Sequence, residues 1–297
     1  MTILTPKKIS DLEYRIEQDS EYGMKVPVVI YANEYLLQKM IFDRTIEQAI
    51  NVSTLPGVLK HVVVLPDGHQ GYGFPVGGVA GMDAEGIISP GSVGYDINCG
   101  VRLIRTNLTE NDIRPKLAEL VDHLFNSIPS GLHPKEGCVR LTTSQLDEVL
   151  VQGVKWLEAN GYATKNDLDV CEENGHIQNA DPHKVSDLAH NRGAPQVGSL
   201  GSGNHFLEIQ KVQEIHDKEA AKTMGIFEGQ ITVLIHCGSR GLGHQVCTDY
   251  LKICEASHKK YGIELPDRQL ACVPNVSEEG ISYKKSNECC DELCLVQ

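Results

Sequence analysis

No stretch of this 297-residue chain approaches the roughly 18–20 consecutive apolar residues that a membrane helix requires, and residues 1–8 lack the apolar run of a secretion signal. A spanning or secreted protein is thereby disfavoured, and a soluble cytoplasmic one, with no membrane partner, is expected. Basic residues are in deficit: 27 Lys and Arg stand against 40 Asp and Glu, for a net charge of −13. That balance excludes broad, nonspecific attraction to a phosphate backbone, so any nucleic acid must meet a local basic patch. Arg102 and Arg105, close to Cys99, and Arg192 and Arg240, each beside a glycine, are the candidates. Repeated C-x-x-C pairs are missing, which excludes a zinc ribbon or finger. The ten cysteines therefore read as free thiols in a reducing compartment, most of them small apolar core residues. Internal repeats, low-complexity tracts and Ser/Pro linkers are also missing, and 41% hydrophobic content suffices for one large core.

Helical and strand signals alternate along the chain. Thr109 with Asp112 has the form of a capping box, followed by Leu117, Leu120, Val121 and Leu124 on one helical face that should pack against a core. Ser144 with Asp147 predicts a second helix through Leu150, Val154 and Leu157, stopped near Gly161. Runs rich in β-branched residues predict strands at 62–65, 101–106, 206–212 and 231–235. Each strand borders a cluster of glycines and polar residues, the place where α/β proteins put their sites. The expected class is α/β, in the broad sense α+β.

Two signals carry chemistry. Asp96 and Cys99 lie three apart in a glycine-bounded turn, and His205 and His236 stand at strand ends, so a carboxylate, a thiolate and two imidazoles are available to one or two divalent ions. Oxygen, nitrogen and sulfur donors together suit a borderline metal, and spacing alone does not select which. A capping Asp96 and an apolar Cys99 are the plain structural alternative. The second signal is glycine, dense at 68–81 and again at 198–203, where backbone N–H groups can approach an anion. Neither segment has Walker or Rossmann spacing, and no G-x-S-x-G elbow or H-E-x-x-H helix occurs.

Four blocks together resemble the signature segments of RtcB-type RNA ligases: Pro66-Asp67-Gly68-His69-Gln70-Gly71-Tyr72-Gly73, Gly94-Tyr95-Asp96-Ile97-Asn98-Cys99-Gly100, Gly198-Ser199-Leu200-Gly201-Ser202-Gly203-Asn204-His205-Phe206-Leu207-Glu208 and His236-Cys237-Gly238-Ser239-Arg240-Gly241. The resemblance implies an RtcB-type α/β fold and a GTP- and Mn2+-dependent ligase. Such an enzyme joins RNA 3′-phosphate or 2′,3′-cyclic phosphate ends to 5′-hydroxyl ends, as in tRNA splicing or RNA repair. By position it implies Asp96, Cys99 and His205 around one manganese, and Cys99 bridging to a second that His236 also binds. It implies Asn204, His205, Phe206, Leu207 and Glu208 at GTP, Asp67 as the essential aspartate of its block, and Arg240 as a phosphate contact. RNA is the implied partner, with an archease-like activator as a further one. The resemblance further implies that the family's guanylated histidine, a further histidine ligand and a guanine-binding lysine lie downstream of Gln297. Residues 1–280 therefore read as the N-terminal part of the catalytic domain. Residues 281–297, with three cysteines in six residues and no helical periodicity, read as an aberrant, frameshifted tail. An inert metal- and nucleotide-binding protein is the alternative function.

Overall fold

The computed structural model describes residues 4–131 and 139–297; Cys138 lies outside them, and the other nine cysteines are free thiols. In chain order the strands are β1 (Lys7–Lys8), β2 (Glu13–Ile16), β3 (Val28–Tyr31), β4 (Val58–His69), β5 (Val76–Met82), β6 (Ile87–Ile88), β7 (Gly100–Thr109), β8 (Phe206–Lys211), β9 (Gln230–Cys237) and β10 (Val273–Pro274). Helices separate them, so the α/β class holds. The chain forms two compact units, one from residues up to Tyr95 with Cys247–Lys284, the other from Asp96–Val246 with Lys285–Gln297. Both are assembled from segments distant in sequence, which is why no linker composition marks them.

In the first unit β1 to β5 form one sheet in sequence order, and only the β3–β4 pair is parallel. A parallel pair needs a crossover, here the helices Glu34–Phe42 and Thr45–Ser53. Asn33 caps the first by accepting from Leu36 N–H at 2.9 Å. Val28 and Ile30 of β3 lie beside Val62 and Val64 of β4, and these four pack with Met40, Ala49 and Leu55 in the core. Between Val64 and His69 the β4–β5 register slips, and Asp67 stands exposed in that bulge. Gly77 backs it at φ +71°, and a Cβ there would lie 2.6 Å from the Asp67 carboxylate.

Buried Gln48 holds the adjoining glycine loop: its side-chain amide donates to Gly71 C=O at 2.8 Å and accepts from Gly71 N–H at 2.9 Å. Gln48→Ala leaves both backbone groups without that partner and should destabilise the protein by about 1–3 kcal/mol, read from the urea midpoint.

The second unit is built on a three-stranded antiparallel sheet in the order β7-β9-β8. Thr109 and Asp112 do form the capping box, after which a 3-10 turn at Arg114–Lys116 leads into the helix Leu117–Ser127. The expectation that its apolar face is buried is corrected: the helix has no buried residue, and Val121 and Phe125 are 51% and 83% exposed. Its inner edge, with Leu124 and Ile128, lines a cleft of about 390 Å³ together with Leu200, Leu207 and Ile209. The next helix also departs from expectation. It starts at Thr143, capped by a reciprocal Thr142–Gln145 pair, and ends at Gly153 (φ +57°), where a separate helix Val154–Ala159 takes over.

Residues 278–296, in which the sequence shows no helical periodicity from 281 onward, form one continuous helix. Periodicity fails there because burial is not confined to one face: Ser286, Cys289, Cys290, Glu292, Leu293, Cys294, Leu295 and Val296 are all buried. No helix among the described residues is long and apolar enough to cross a membrane.

Candidate metal centre

The β7-β9-β8 register creates the site. Val101 faces His236, which in turn faces Phe206, so His236 occupies the centre of a cross-strand row. Cys99 immediately precedes β7 and His205 immediately precedes β8. The turn that carries Asp96 and Cys99 is pinned by buried Ile97, whose C=O accepts from Ser239 Oγ at 2.6 Å. Asn98 takes φ +52°, a left-handed conformation that asparagine tolerates better than most residues.

Ligand atoms of Asp96, Cys99 and His205 lie within 4.8 Å of one another, each residue partly buried. His205 Nε2 is 2.6 Å from Asp96 Oδ2 and 3.5 Å from Cys99 Sγ, and His236 Nε2 is 2.9 Å from the same sulfur. Cys99 is thus the hinge between two imidazoles, and Asn204 Nδ2 approaches it at 3.8 Å. Burial, reinforced by the Asp96 carboxylate, pushes the Cys99 thiol up to about 12. A divalent cation among these groups would reverse that balance, take the sulfur as thiolate and release its proton. The donor set fits a metal on its own chemistry: one hard oxygen, two imidazole nitrogens and a sulfur are gathered in one cluster.

Glycines make this convergence sterically feasible. A Cβ on Gly201 would overlap the His205 ring, and one on Gly238 would overlap the Asp96 carboxylate. Gly201→Ala should therefore displace the imidazole and weaken metal binding roughly 10- to 100-fold, the range for lost ligand orientation, while far-ultraviolet circular dichroism stays unchanged. Metal titration by calorimetry reads the effect.

The family model described as tRNA-splicing ligase RtcB matches residues 48–296. This chain belongs to the RtcB family. Proteins named tRNA-splicing ligase RtcB are similar to it: that of Thermococcus kodakarensis is 57% identical over 93% of the chain, that of Aeropyrum pernix 52% over 96%, and that of Archaeoglobus fulgidus 51% over 93%. The RtcB-family chain spans 57%, 60% and 57% of those relatives' lengths, respectively.

Of the residues singled out in the sequence, Asp96, Cys99, His205 and His236 come together, with Asn204 and Phe206 at their border; the Phe206 and His236 rings meet edge to face at 5.2 Å. Glu208 is exposed and accepts from Gln210 Nε2 at 2.8 Å. Asp67 belongs to the first unit. Arg240, expected at a phosphate, is buried; it donates to Ser199 C=O at 2.7 Å and to Gly131 C=O at 2.6 Å. In this conformation it clamps the glycine loop that carries His205 instead of presenting its guanidinium to solvent. The residues not foreseen are those that support the donors: Ser239, Cys237, whose Sγ lies 4.0 Å from His205 Nδ1, and the cramped glycines 201 and 238. Their signal was present as glycine beside each donor, but it does not say which neighbour demands the glycine.

Proposed function

We propose that this chain carries the metal-binding part of a GTP- and manganese-dependent RNA ligase that joins 3′-phosphate or 2′,3′-cyclic phosphate ends to 5′-hydroxyl ends. The observation that supports it best is the convergence of Asp96, Cys99 and His205, with His236 on the same sulfur. Asp96, Cys99 and His205 would hold one manganese, and Cys99 is placed to share a second with His236. Bound manganese supplies charge neutralisation at phosphate oxygens, for both the attacking and the leaving oxygen where two ions are held. Oxygen, nitrogen and sulfur donors would equally accept zinc, so manganese rests on family membership and not on the donor set.

The chain's own residues do the positioning. Asn204 and Phe206 border the donors and, with Glu208, would form the nucleotide-facing edge, to which Leu207, whose side chain lines the cleft on the other face, would lend its backbone; the exposed Glu208 carboxylate is a ready acceptor for N–H groups of a guanine. Exposed Asp67 is the proposed catalytic aspartate of the first unit. RNA is the substrate, and an archease-like protein is the proposed activator. With the chain's net charge of −13, RNA binding has to be local and metal-assisted, and its salt dependence correspondingly shallow, since the slope follows the number of phosphates contacted.

The test is ligation of an RNA pair bearing a 3′-phosphate and a 5′-hydroxyl, with GTP and Mn2+, by the native gene product and by its Cys99→Ala variant. Joined RNA from the native protein alone supports the reading. Manganese binding with neither joined RNA nor covalent guanylate overturns it in favour of the second reading, a metal- and nucleotide-binding protein without ligation.

A further inference from the structure

The segment that carries Asp67 has no hold of its own in the sheet. In the register, residues 65–68 have no partner on β3 or β5: pairing ends at Ile30 with Val64 on one side and slips between Val64 and His69 on the other. Asp67 and His69 stand exposed at this gap. The hold comes from the crossover between β3 and β4. Gly68 lies tight against the helix Glu34–Phe42, where a Cβ would be 2.9 Å from Met40 Cε. Gln70 N–H donates to Asp43 Oδ2 at 2.9 Å, and Gly71 makes its two bonds with Gln48. Contacts at residues 68, 70 and 71 thus all come from one short stretch, residues 40–48.

Asp43 divides its carboxylate between two tasks. Oδ1 accepts from Thr45 N–H at 2.8 Å at the start of the helix Thr45–Ser53, and Oδ2 accepts from Gln70. Burial opposes ionisation of Asp43, but hydrogen bonds from Thr45 and Gln70 outweigh it and hold the carboxyl below its ordinary value, so both contacts are charge-assisted. Gln48 is fully buried beside Ile46 and Ala49. An apolar residue would pack there without the desolvation cost that the amide recovers only through Gly71, so the loop accounts for the polar side chain. The Gln70 peptide is tied at its other end as well: His69 Nδ1 lies 3.1 Å from Gln70 C=O. A carbonyl only accepts, so Nδ1 donates, and Nε2 is left as the acceptor of the neutral ring.

We propose that Asp43 and Gln48 are positioning residues for Asp67 and His69: by fixing the peptides of Gln70 and Gly71 they set how both side chains are presented at the bulge. The proposal deepens the ligase reading and rests on it for Asp67 as the catalytic aspartate.

The test uses Asp43→Asn and Gln48→Leu in the native gene product. Asparagine offers one acceptor oxygen to two donors, and leucine keeps the bulk of Gln48 while removing both bonds to Gly71. Amide exchange at residues 67–71 should quicken by more than at residues 28–30, which report global opening. In RNA ligation kcat should fall about tenfold or more with KM for RNA unchanged, the signature of a misplaced reacting group and not of a lost substrate contact. Equal quickening in both segments shows general loosening and overturns the proposal. Unchanged exchange at 67–71 in both variants overturns it too, as does quickened exchange there with kcat unchanged. If the native protein joins no RNA, the ligase reading fails by itself. Selective quickening at 67–71 then still supports the hold on Asp67 and His69, and its absence overturns it.

Discussion

Replacing Cys99 with serine should lower divalent-metal affinity by about a hundredfold or more, since altering an outer-shell partner of a ligand already costs roughly 10–100-fold. Cys99 Sγ approaches both imidazoles, at 3.5 Å to His205 and 2.9 Å to His236. A serine hydroxyl in its place is smaller and stays protonated, so it links neither histidine to an ion with comparable strength. Cobalt makes the test direct: the wild-type protein should show thiolate-to-cobalt absorption, and the variant should bind weakly and without that band. Unchanged affinity would mean that Cys99 is an apolar filler and that the ion, if any, sits on Asp96 and His205 alone.

The second large effect lies in the helix Glu278–Val296. Glu292 is fully buried; its Oε1 accepts from Ile177 N–H at 2.6 Å and pairs with His176 Nδ1 at 2.8 Å, while its Oε2 has no partner among the described residues. Burial pushes its pKa up to about 7, and that of neighbouring Asp291 up to about 6 for the same reason. The folded state therefore holds these protons more tightly than the unfolded chain. Stability is fully present below the ordinary carboxylate range near 4 and is lost as pH rises through about 6 to 7. Burial lowers His176, so imidazole ionisation works in the opposite direction and costs stability as pH falls through the usual histidine range; the Lys155 charge adds to that lowering and also draws Glu292 down. Glu292→Gln keeps an oxygen acceptor for Ile177 and removes the buried charge. At pH 8 it should stabilise the protein by on the order of 2–3 kcal/mol, with little effect at pH 4. Urea unfolding at the two pH values decides it. An equal gain at both would show that charge is not the cause, and a loss at pH 8 would mean the carboxylate is satisfied in a way the geometry does not reveal.

The candidate donors could be singled out because the signals that mark each of them are local. Asp96 and Cys99 share one turn, the four strands lie where their β-branched runs predict, and the Thr109–Asp112 cap needs only three residues of separation. The errors came where burial intervenes. The periodic face of Leu117–Ser127 reads as a core face, yet Val121 and Phe125 are exposed. The segment 281–297 reads as aperiodic, yet it is helical because apolar and polar residues alike are enclosed. Arg240 beside glycine reads as an anion contact, and which groups its guanidinium meets is decided by folding: here it donates to two backbone carbonyls.

By itself, then, the amino-acid sequence determined the α/β class, the strand ends that bear polar residues and the family they resemble, and it singled out four candidate donors, since these depend on residue type and short-range order. Only the tertiary structure decided that His205 and His236, 106 and 137 residues from Cys99, meet on its sulfur, and that Gly201 and Gly238 are glycines that make room for His205 and Asp96. Those outcomes follow from strand register and close packing between distant segments, quantities that no local pattern of residues encodes.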